Sequence, residues 1–93
     1  MLSNVYAIYD HKAHAFMQPF FAATNGLALR TFSDNANNPD TVFNRHPDDF
    51  ELCLLSTFDD ITGTFESAAE EGENGELQLK RLGLASDFIT EQQ

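Results

Sequence analysis

DFELCLLSTFDDITGTFES, residues 49–67, alternates in character and then turns back on itself. In an extended chain Phe50, Leu52, Leu54, Ser56 and Phe58 share one side, while Glu51, Cys53, Leu55 and Thr57 share the other. Asp59-Asp60 and Gly63 then mark a tight turn, with the glycine supplying a positive φ, and Thr64-Phe65-Glu66 returns as a second strand. This is an antiparallel hairpin with one strongly apolar side, so something else in the chain must cover that side.

Upstream, NVYAIYD (4–10) sets Val5, Ala7 and Tyr9 against Tyr6 and Ile8, apolar on both faces, which predicts a central strand. HKA (11–13) is a short polar bend, and HAFMQPFF (14–21) resumes the strand pattern. Pro19 cannot donate to a ladder, so this second strand is an edge there or stops there. The cover is predicted between the hairpins. In TNGLALRTFSDNANN (24–38), Thr24 or Asn25 can cap a helix whose stripe is Leu29, Phe32 and Ala36, with Arg30, Ser33 and Asp34 outward. Asn37-Asn38-Pro39 ends it. Asp40 can cap a second short turn, TVFNR (41–45), closed by Pro47. The expected order is β-β-α-β-β: an α+β domain over residues 1–66, a small antiparallel sheet with one main helix on one face.

Composition changes at Ser67. SAAEEGENGE (67–76) is acidic and small and reads as a linker, while LQLKRLGLASDFI (77–89) recovers apolar character. Residues 67–93 are thus an acidic linker and a tail whose periodicity leaves a short helix, an extra strand and a partner-binding segment all open.

Charge narrows the function classes. The chain carries 5 Lys or Arg against 15 Asp or Glu, a net of −10. The imbalance is spread along it, with three basic and nine acidic groups in residues 1–66 and two and six in residues 67–93. Duplex DNA binding rests on phosphate neutralisation, so the composition opposes a basic-surface mode. Attraction to a basic partner is the plainer expectation. No apolar run approaches a membrane span, no secretory leader is visible, and the single Cys53 fits a reducing cytoplasm.

The candidate chemistry is sparse. Asp10, His11 and His14 are metal-ligating residue types, but strong zinc signatures carry a second ligand pair at defined spacing, which is missing. There is no G-x-S-x-G elbow and no phosphate-cradling glycine loop. The acid pairs at 48–49 and 59–60 flank a strand, where neighbouring side chains diverge. The expectation is a protein without catalytic residues, bound metal or cofactor. Stacking of single-stranded DNA on aromatics depends less on net charge, and Tyr6, Tyr9 and Phe16 rimmed by Lys12, Arg30 and Arg45 form a candidate platform.

YDHKAHAFMQPFF, ALRTFSD, HPDDFEL and TFDDITG, in that order over about residues 4–63, resemble the small nonstructural protein of gokushoviruses, microviruses of the chlamydia-phage type. The resemblance implies a DNA-binding protein associated with replication of a single-stranded DNA genome, outside the mature capsid. Two functional expectations stand side by side. One is direct contact with single-stranded DNA; the other is an acidic, homodimeric adaptor for a phage or host replication or packaging protein.

Overall fold

The computed structural model describes residues 1–90, and its core is an antiparallel sheet with helices on one side. The centre is β1 (Leu2–Asp10) against β4 (Phe50–Asp59), paired along their lengths from Leu2 opposite Asp59 to Asp10 opposite Phe50. β2 (Ala15–Phe16) and β3 (Phe20–Ala22) follow one another along the outer side of β1 as a single interrupted lane. The interruption is the one Pro19 demands: the strand leaves register after Met17, whose N–H donates to the Ile8 carbonyl at 2.8 Å. β5 (Thr64–Ser67) flanks β4 on its other side, after a turn in which Gly63 sits at φ 73° and donates its N–H to the Asp59 carbonyl. The expected α+β class and one-sided main helix are what the fold contains.

One departure redistributes side chains. Val5 pairs with Ser56 but Tyr6 with Leu54, so Leu55 is an extra residue, a β-bulge. Beyond it the alternation inverts. Ser56 and Phe58, expected beside Leu52 and Leu54, pair with Val5 and Ser3 on the face of Cys53, and Thr57 turns to the helical side opposite Asn4. A period-of-two reading carries no sign of an inserted residue, so this part of the expected pattern is corrected.

The helical layer is built from short local rules. Thr24 caps α1 (Asn25–Ala36), its Oγ1 accepting the Leu27 N–H at 3.1 Å. Phe32 and Ala36 are buried as expected, against Tyr6, Phe50, Leu52 and Leu54; the third buried position is Ala28, and the expected Leu29 is half-buried at the margin. The small alanines let the helix approach the sheet, and Phe32 fills the space between Phe43 and Phe88. α2 (Val42–Arg45) is capped by Thr41 rather than Asp40; its hydroxyl oxygen accepts from the Asn44 N–H.

Residues 67–90 contain three structural pieces. Ser67 pairs with Ser56, the Ala68 N–H donates to the Leu55 carbonyl, and the chain then leaves the sheet as a two-stranded ribbon. Its strands are β6 (Glu70–Glu71) and β7 (Leu77–Gln78). The chain re-enters beside β4 as β8 (Lys80–Leu84), Lys80 opposite Leu54, and ends in a 3₁₀ turn, Ala85–Phe88. Ala85 is fully buried and Phe88 stands 5.9 Å, edge to face, from Phe32. Gly83, at φ 151°, is required here, because a Cβ would lie 2.9 Å from the Phe88 ring. Asn37 at the end of α1 clasps this segment: its amide donates to the Phe88 carbonyl at 2.9 Å and its carbonyl accepts the Thr90 N–H at 2.7 Å. Of the options left open for the tail, the structure uses both the strand and a short helical turn, and residues 80–89 share the core of residues 1–66.

Candidate functional site

The helices cover one face of the sheet; the opposite face carries a second set of aromatics. Tyr9 meets Phe16 at 4.8 Å at one end, and Phe58 meets Phe21 at 5.8 Å and Phe65 at 4.8 Å towards the other. Between them lie Val5, Ala7 and Cys53, small enough to be buried by these neighbours. Phe16, Phe21 and Phe65 remain 46, 57 and 62% exposed. Exposed rings gathered on one sheet face of a small domain mark a contact face.

Its polar element is Glu51. His11 Nε2 lies 2.9 Å from Glu51 Oε1, and Arg81 Nε lies 3.9 Å from the same oxygen, which joins the β1–β2 turn to β8. The His11 ring also stands edge-on to Tyr9 at 4.8 Å. Next to Glu51, burial and then the Glu51 charge push the Cys53 thiol up to about 11 from 9.0, with Arg81 opposing weakly. The thiolate, the reactive form, is correspondingly scarce at neutral pH. Cys53 is therefore expected to resist a chromogenic disulfide reagent at neutral pH and to react at once after denaturation. Rapid labelling of the native protein would contradict its placement.

The residues proposed for a DNA platform are divided by the fold. Tyr9 and Phe16 lie together, and Lys12 is exposed in the adjoining turn, where Asp10 Oδ1 accepts the Lys12 and Ala13 N–H groups. Tyr6 does not join them. It is fully buried on the helical side, stacked on Phe20, with its hydroxyl donating to Asn25 Oδ1 at 2.6 Å and accepting from Asn4. Alternation puts Tyr6 opposite to Tyr9, so one face cannot present both. Arg30 and Arg45 are exposed on α1 and α2, with the sheet between them and the open aromatics. Phe21, Phe58, Phe65 and Arg81 were not anticipated there. Phe21 was legible from its alternation with Phe20; Phe58 was hidden by the bulge.

Elsewhere the surface is acidic. The ribbon bears Glu70, Glu71, Glu73 and Glu76, all exposed, with Lys80 Nζ 3.6 Å from Glu70. An open concavity beside it is lined by Glu76, Leu77, Gln78, Leu79 and Arg81, a set with no nucleophile and base in partnership. Among the described residues no three His, Cys, Asp or Glu side chains converge as metal ligands, and Asp10, His11 and His14 do not do so. No described helix is long and apolar enough to cross a membrane.

Fold and surface together define a small α+β domain with a one-sided helical layer and an open aromatic sheet face. The chain belongs to the Phage ORF5 protein family, whose pattern matches residues 3–73. It is 33% identical over 64 residues to Protein ORF5 of Chlamydia phage 1, an alignment covering 64% of this chain and 67% of that protein. The resemblance to the chlamydia-phage type is thus upheld. No solved structure matches the chain. β8 and the 3₁₀ turn lie beyond the matched span, although they complete the core.

Proposed function

We propose that this phage protein is nonstructural and acts during replication of a single-stranded DNA genome in the host cytoplasm, as an acidic module that engages a basic phage or host protein. It works by binding and not by catalysis. The observation that carries this reading is the scatter of its cations. Arg30 and Arg45 sit behind the sheet, Lys80 is close to Glu70, Arg81 is close to Glu51, and Lys12 stands in a turn. No phosphate track results, whereas carboxylates project from the ribbon and from the outer surface of α1, where Asp34 is exposed. In a chain of net −10, long-range attraction favours a basic protein surface and opposes a polyanion.

A second reading keeps one specific support. Tyr9 and Phe16 beside Lys12 can stack a base or two, each worth about 1–3 kcal/mol. Anisotropy across a salt series distinguishes the two, using a labelled lysine-rich peptide and a labelled oligothymidylate. The peptide is expected to bind at low salt, release as salt rises, and weaken when Glu70, Glu71, Glu73 and Glu76 become Gln. Tight oligothymidylate binding that is lost in Phe16→Ala, with no peptide binding, would replace the first reading by the second.

A further inference from the structure

We infer that the open aromatic face is the seat of a second copy of this chain, packed sheet to sheet. The inference goes beyond the proposed function and concerns a different surface from the acidic ribbon.

Among the described residues, the strand positions on this face carry one carboxylate, Glu51, and one cation, Arg81, and these two lie beside each other. The chain as a whole holds fifteen acidic residues, so the face is a neutral aromatic surface within a strongly acidic molecule. A nucleic acid would need uncommitted cations here, and a basic partner would need uncommitted carboxylates. The strand positions supply neither. A second copy brings the same neutral surface, which is the charge complement this face has, and it directs both sets of carboxylates outward.

The edges direct the same choice. One outer lane is broken at Met17-Gln18-Pro19, and the other is broken where the ribbon leaves between Ser67 and Lys80. Such interrupted edges resist strand-to-strand pairing. Face-to-face packing at the usual sheet spacing of about 10 Å needs no edge, and it buries Phe16, Phe21 and Phe65.

Sedimentation equilibrium of the full chain over a wide concentration series tests this. A reversible two-copy mass is expected. Phe16→Asp and Phe65→Asp should each raise the dissociation constant about thirtyfold or more, the effect of losing an interface anchor. Leu27→Asp, on the exposed part of α1, should leave it unchanged. A monomer at every concentration overturns the inference, as does a dimer broken only by Leu27→Asp. Where an Asp variant loses its circular dichroism, NMR dilution of the unaltered chain replaces it. Ring resonances of Tyr9, Phe16 and Phe65 should then shift with concentration, and shifts confined to Phe43 and Phe88 overturn the inference. A monomer that binds oligothymidylate through Phe16 also overturns it, and assigns the face to bases. Loss of peptide binding by the ribbon variant leaves this assembly intact, so the two proposals fail separately.

Discussion

Phe32→Ala is expected to remove a large share of the folding stability of this protein. Truncating a buried phenylalanine costs about 3–5 kcal/mol, whereas a domain this size holds about 5–15 kcal/mol in total. The site gives no reason for leniency. Phe32 is 1% exposed and sits between the rings of Phe43 and Phe88, with Ala28 and Ala36 a turn away on either side. Alanines cannot swing in to fill the void, so the cavity term stays with the transfer term. Urea unfolding followed by far-UV dichroism measures the loss. A midpoint shift worth less than about 1 kcal/mol, a surface-like response, would remove Phe32 from the core.

What was legible in the sequence follows the range of the forces that shape it. α1 is written locally: a threonine cap, a stripe at three and four, and an Asn-Asn-Pro stop, and each is where the chain places it. The central strands are legible because their alternation is strong, and Pro19 marks the break in the outer lane for a covalent reason. The bulge at Leu55 is different. Nothing in LCLLSTF says which leucine is unpaired, because that follows from the register with β1, which is a tertiary fact. The error propagates to the site. Reading Phe58 on the helical side removes it from the open face, and assigning Tyr6 to that face ignores that only one of two apolar sides stays uncovered. Lys12, Arg30 and Arg45 stand out in the sequence only by their scarcity, and the fold separates them across the sheet. Asn37 was read as a stop signal; its clasp on Phe88 and Thr90 spans more than fifty residues of sequence and has no local trace.

The same reasoning makes the last segment decisive for folding, although it reads as a tail. A chain ending at Leu79 is expected not to fold. It would lose β8 from beside Leu52 and Cys53, and it would lose Leu82, Ala85, Phe88 and Ile89 from the core cluster. Large side chains contribute about 1.5–3 kcal/mol each when fully buried, so the half-buried Leu82, Phe88 and Ile89 with buried Ala85 still carry a substantial share of the stability available. Asn37 would also be left with two polar groups whose partners are gone. The internal control is the ribbon just before it. Replacing residues 72–76 by Asn-Gly keeps Glu71 opposite Leu77 and closes a two-residue hairpin, so stability should stay within about 0.5 kcal/mol. The two variants separate length from core: the truncation should give a dichroism spectrum without a cooperative transition, and the shortened ribbon should unfold like the parent. If the chain ending at Leu79 unfolds cooperatively at the parent's midpoint, the contacts of Phe88 with Phe32 and of Gly83 with Leu52 carry no stability. If it fails as expected, a family member without an equivalent of residues 80–89 must cover Leu52 and Phe32 by other means. The matched span stops at residue 73, before the strand that closes this core.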